Sequence, residues 1–242
     1  MRGRLLTLII SLLGVPALLL TAAPAAWGSG DWLSQRQLAW PEWQLPAALP
    51  RPRRSDDLLY PQWFAGTWTV ESIDLSDDSS LVHSARFTTA ERGGPGVVGD
   101  RVFNAKSIGR VLLGDQLLTV EQAPGQVNRQ LARLSGDRQL ETTVIGRRQS
   151  NLGAAVFQSD ELVLQILHGP GAPRISRIET LSRYQRCDRD STRICAQQWQ
   201  ARFPPPGETL QADPVSVSRF ALTLTPQPDP TASAGPPADH AT

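Results

Sequence analysis

Lysine is nearly missing: Lys106 stands alone among 24 basic residues, all the others being arginine. Cysteine is limited to Cys187 and Cys195, and histidine to His83, His168 and His240. These shortages exclude several chemistries. A structural zinc site needs about four Cys or His ligands close together, and no histidine lies near a cysteine in the chain. No C-x-x-C, H-E-x-x-H or G-x-S-x-G occurs, so a redox dithiol, a zinc-protease helix and a nucleophile elbow are all absent. A formal net charge of +1, without any long basic run, offers nothing to draw nucleic acid. GPGVVG at 94–99 matches the dinucleotide fingerprint in its letters only. No apolar strand precedes it and Pro95 interrupts the turn, so it reads as a glycine-rich turn.

Long apolar runs are lacking except at the start. MRGRLLTLIISLLGVPALLLTAAPAAWGSG has basic residues Arg2 and Arg4, an apolar stretch from 5 to 20, and small residues at 23–25. That order predicts a secretory signal peptide over 1–25. A membrane anchor needs about 20 unbroken apolar residues, and Pro16 interrupts this run. Export and a single close cysteine pair together predict a Cys187–Cys195 disulfide. No transmembrane segment is expected in the mature chain.

What the chain has in abundance is proline and tryptophan, 20 and 7 residues respectively. Residues 26–62 carry Trp32, Trp40 and Trp43 among many prolines, which predicts an extended arm. Two readings of its indoles stand side by side: docking on a partner, or folding back on the arm's own domain. From 63 to 226 the pattern changes to short Val-, Ile-, Leu- and Thr-rich segments between Gly, Asp, Asn and Pro. This is the mark of an all-β domain. Turns are expected at 134–139, 158–161 and 168–174. A short helix fits 104–113, with Asn104 as its N-cap. The tail at 227–242 has too little apolar material for a core.

Alternation gives the strands two faces. Thr180, Ser182 and Tyr184 share one side of the strand at 175–186, and Gln197 and Trp199 share one side of the strand at 194–203. Both apolar-leaning sides retain polar residues, which suits a barrel with a partly wet lumen better than a dry sandwich. These five residues, with His168 at the rim, are the candidate cavity lining. No catalytic or metal-binding set is assigned.

Gly66-Thr67-Trp68, behind Trp63 and Phe64, resembles the start of the lipocalin and fatty-acid-binding (calycin) fold. The resemblance implies a single antiparallel barrel of about 8–10 strands, with Trp68 on its floor. It also implies an arginine from the last strand across that indole, and Arg219 is the residue carried over. Over longer stretches, including YPQWFAGTW, GDRVFNAKSIGRVLLGD and ICAQQWQARFP, the chain resembles a family of exported cyanobacterial and plastid thylakoid-lumen proteins with no assigned activity. That implies a compartment, thylakoid lumen or periplasm, rather than a chemistry. Two functions follow as expectations. One is a non-enzymatic binding protein for a hydrophobic or amphipathic small molecule such as a pigment or lipid. The other is an assembly factor for photosynthetic membrane complexes, acting through its surface and Trp32, Trp40 and Trp43.

Overall fold

The computed structural model describes residues 29–90, 96–207 and 213–228. The expected signal peptide, and the expected tail beyond 228, lie outside these residues. The described residues form one antiparallel sheet of eleven strands curled into a half-barrel, with two α-helices. In chain order the elements are α1 (Ser29–Leu38), β1 (Leu59–Tyr60), β2 (Gly66–Asp74), β3 (Ser80–Thr89), β4 (Val97–Gly99) and α2 (Arg101–Leu113). Then follow β5 (Leu117–Gln122), β6 (Arg129–Leu134), β7 (Arg138–Leu152), β8 (Val156–His168), β9 (Arg174–Cys187), β10 (Asp190–Phe203) and β11 (Ser216–Pro226). Across the sheet they run β1-β4-β3-β2-β11-β10-β9-β8-β7-β6-β5. The expected all-β antiparallel architecture is therefore present.

β1 and β5 end the sheet, and α2 lies between its two wings, packed on β3 and on β5. Polar side chains on one side of α2 make this possible. Asn104 Oδ1 accepts the Arg86 amide at 2.7 Å and its Nδ2 donates to the Arg86 carbonyl at 3.1 Å. Ser107 Oγ accepts the Ser84 amide at 2.9 Å. Three backbone groups on the free edge of β3 are thus satisfied by a helix instead of a strand. Asn104 is accordingly not the cap. Asp100 caps α2 by accepting the Phe103 amide at 3.0 Å, and the chain leaves β4 for the helix three residues earlier than the sequence suggests.

β8 is a second correction. Gln158 to Glu161 read as a turn, yet β8 runs unbroken, with Gln158 opposite Arg183 and Asp160 opposite Leu181. Polar residues normally punctuate strands; here they are buried inside one. The hairpins at 134–139 and 168–174 form as expected. Cys187 and Cys195 are joined across the β9–β10 hairpin. The loop they close is short, a cross-link that contributes about 2–3 kcal/mol on the chain-entropy account.

The sheet has a core on each face. On the concave face Phe64, Trp68, Phe87, Phe157 and Tyr184 build an aromatic floor, joined by Tyr60 and Trp63. On the convex face Leu33 and Trp43 from the N-terminal arm pack on Leu181, Trp199, Ala201 and Phe203, with Trp32 and Trp40 alongside. The arm therefore folds back on its own domain, and it opens with helix α1 where the proline-rich pattern suggests only extended chain. The first proline after α1 is Pro41, so nothing in 29–38 opposes a helix. Close approach holds the arm down: a Cβ on Gly146 of β7 would sit 2.7 Å from Leu49 Cβ. Among the described residues no helix is long and apolar enough to cross a membrane.

Candidate ligand-binding cleft

The aromatic floor fills one end of the concave face; the other end is open. Between β2, β3, β11 and α2 lies a cleft of about 220 Å³. Its walls are aliphatic and aromatic: Val70, Leu81, Phe87, Ile108, Leu222 and Leu224. It continues into a wider mouth of about 380 Å³, which shares Ser72, Leu81, Ile108 and Gln198 and adds Leu112 and Phe220. Strand alternation explains the lining. Leu81, His83, Ala85 and Phe87 occupy every second position of β3, and Val70 pairs with both His83 and Leu224.

The polar groups of the cleft are few and uncharged. Ser72, His83, Asn104, Tyr184 and Gln198 are its polar residues. Burial pushes the His83 pKa down, which keeps the imidazole neutral at pH 7, and its Nδ1 is enclosed without a hydrogen-bond partner among the described residues. Burial likewise pushes the Tyr184 hydroxyl up, against the pull of side-chain hydrogen bonds with Ser182 and Gln198. The one ionisable residue at the mouth is Asp74, whose carboxylate is tied to the Ser76 amide and hydroxyl at 2.9 and 2.7 Å. An apolar trough with a few convergent polar groups is the usual form of a small-molecule site.

The sequence-derived candidates separate into two groups here. Thr180, Ser182 and Tyr184 share the concave face, but of the three only Tyr184 lines the cleft. Gln197 and Trp199 do not join them. Ala196 is the residue opposite Tyr184, and Trp199 is opposite Leu181, so Trp199 faces the arm and Gln197 is exposed on the same convex side. The concave residues of β10 include Ile194, Ala196, Gln198 and Gln200. His168 sits at the far end of β8 opposite Gln139, 3.8 Å from Glu141 Oε2 and away from the cleft.

The start motif also divides. Gly66 has φ +111°, a conformation that favours glycine over any residue with a side chain. Trp68 is buried, its indole N–H donating to the Phe64 carbonyl at 2.7 Å. Arg219, however, does not reach Trp68. It lies opposite Trp199 on the convex face, with its guanidinium 5.5 Å from that ring, and donates to Gln197 Oε1 at 3.3 Å. The arginine–indole pairing implied by the calycin resemblance is therefore replaced at the floor. There Trp63 stacks on Phe64 at 4.4 Å and Arg186 lies 5.7 Å from the Trp63 ring.

Residues 75–228 match the family described as Domain of unknown function (DUF6816). The chain belongs to this family. The matched span holds β3, α2, β10 and β11, and so every residue lining the cleft except those supplied by β2. Neither the curated proteins nor the solved structures contain a significant match to the chain.

Of the twelve residues lining the cleft only Tyr184 is among the sequence-derived candidates; His83 is one of those missed, since it follows the acidic DLSDDSS with no ligand pattern around it. The signal was present in the alternation of SLVHSARF, which puts His83 in phase with Leu81, Ala85 and Phe87.

Proposed function

We propose that this DUF6816 protein is a non-enzymatic binder of a small, uncharged, largely apolar molecule, held in the concave cleft beneath α2. The observation that carries this reading is the composition of the cleft walls. They are mainly apolar, hold no charged side chain among the described residues, and carry five uncharged polar groups, among them an unpartnered His83 Nδ1. A hydroxyl or carbonyl on an otherwise apolar ligand suits such a lining. A carboxylate does not, since no cation waits for it there and Asp74 lies at the entrance. Pigments, isoprenoids and neutral lipids all have this chemistry. The Cys187–Cys195 disulfide supports an oxidising compartment, periplasm or thylakoid lumen, for the protein.

The competing role, assembly of photosynthetic membrane complexes through the arm, has less support while Trp32, Trp40 and Trp43 are engaged by the protein's own sheet. The experiment is a displacement assay with 1-dodecanol and dodecanoate against a bound neutral dye. The reading predicts binding of the alcohol at least about tenfold tighter than of the acid, equivalent to about 1.4 kcal/mol. Binding of neither compound would refute it.

A further inference from the structure

The convex face holds an arrangement that ligand binding does not use. Gln158 and Asp160 occupy alternate positions of β8 beneath the arm, and both are fully buried. Neither amide atom of Gln158 nor either carboxylate oxygen of Asp160 has a hydrogen-bond partner among the described residues. Buried polar atoms left unpaired oppose the state that buries them. The docked arm is what covers this part of the sheet.

Among the described residues none of the charged groups around Asp160 hydrogen-bonds to it. On β9, Glu179 lies diagonally across, since Leu181 pairs with Asp160 and Glu179 with Leu162. Glu179 accepts two hydrogen bonds from Arg36 of α1, from Nε at 2.7 Å and from a second guanidinium nitrogen at 2.8 Å. It also accepts the Ala47 amide at 2.8 Å. On β7, Arg148 stands opposite Asp160, but its guanidinium lies over the Trp32 ring at 4.6 Å and its Nε is unpartnered. On β9, Arg177 donates to the Pro204 carbonyl at 3.0 Å, and Arg183 lies opposite Gln158. The facing positions of β10 are Gln197, Trp199 and Ala201, none of them titratable. Glu161, the next residue of β8, adds more negative charge from the concave side.

We propose that residues 29–47 form a proton-controlled latch, docked on the convex face while Asp160 is protonated and loosened when Asp160 ionises. Burial, and then the neighbouring Glu179, push the Asp160 carboxyl well above the ordinary aspartate range, against the pull of Arg36 and Arg148. With the arm released, water reaches Asp160 and its affinity for the proton falls toward the ordinary value. Docking therefore takes up a proton. The sign follows: docking is fully favoured below the ordinary aspartate range and loses that advantage as pH rises through the docked value. Release uncovers Trp32 and Trp43 on the arm and Trp199 and Phe203 on the sheet, two aromatic surfaces that the closed form conceals.

The test is hydrogen–deuterium exchange over residues 29–47, corrected for intrinsic rates, at about pH 5.5 and about pH 8.5. In the wild type, protection of this segment falls at least about tenfold at the higher pH, while β9 and β10 remain protected. In Asp160→Asn the segment keeps its protection at both values. Flat protection in the wild type, or the same loss in Asp160→Asn, overturns the proposal. Should the variant fail to fold, wild-type tryptophan emission decides. A red shift on raising the pH at constant far-UV circular dichroism supports the latch, and no shift overturns it.

Discussion

Asp160 and Glu161 are neighbours in β8 that look to opposite faces of the sheet, and their surroundings have opposite effects. Burial alone would raise the Glu161 pKa, but Arg101 and Arg147 more than offset it and hold the carboxylate below its ordinary range. Arg147 Nε donates to Glu161 at 2.7 Å, and its other nitrogens reach the Asp56 carbonyl at 2.8 Å and Asn128 Oδ1 at 2.7 Å. Arg101 joins Glu161 to Asp57 of the arm through an Nε hydrogen bond of 2.8 Å to Asp57 Oδ1. In this network Glu161, Asp57, Arg101 and Arg147 each have a counter-charge and a hydrogen bond. On the other face Asp160 accepts no hydrogen bond among the described residues. A buried charge is tolerated only when fully partnered, so the concave network is a fixed strut and the convex carboxyl is a group whose state depends on its cover.

The sharpest way to break that contrast is Glu161→Gln. It leaves Arg101 and Arg147 without their shared carboxylate and should cost about 3 kcal/mol in urea unfolding at pH 7. The wild-type pH profile carries the same information. Because its folded pKa is depressed, Glu161 contributes stability above the ordinary glutamate range and loses it only as pH falls through the lower folded value. Acid unfolding should therefore begin later in the wild type than in Glu161→Gln, where that contribution is gone. Coincident acid limbs would show the strut to be inert.

A smaller effect separates the faces mechanically. Gly146→Val places side-chain atoms where Leu49 now lies, the added Cβ being 2.7 Å from Leu49 Cβ. Overpacking of this kind should cost about 1–2 kcal/mol. It should raise proteolytic cleavage within the arm while leaving dye binding in the concave cleft unchanged. If cleft binding fell with it, the two faces would not be independent.

Much of this arrangement was legible in the sequence. Alternation at 175–186 placed Thr180, Ser182 and Tyr184 together, and the close cysteine pair named its own partner. Trp68 lies in the aromatic core of the concave face. What failed was the choice of face on β10. A one-residue change of phase exchanges the two sides of a strand, and apolarity selected Trp199, Ala201 and Phe203. Those residues are apolar because the arm covers them, not because they line the lumen. When both faces of a sheet are buried, a single strand's pattern cannot say which face is which; only the register against its neighbours does. The same cover explains β8, where Gln158 and Asp160 look like a turn until the arm above them is known. Helix α1 was hidden by the prolines that follow it.

The central claim is that the cleft under α2 takes an uncharged apolar ligand, and fluorescence titration of Nile red against the wild type and Ser72→Phe tests it most directly. Ser72 lines both the cleft and its mouth, and a phenyl group there occupies the trough from β2. The account predicts saturable binding to the wild type and at least about tenfold weaker binding to the variant, about 1.4 kcal/mol, with an unchanged circular dichroism spectrum. Equal affinity for both proteins would place the dye, and any natural ligand like it, somewhere else on the molecule.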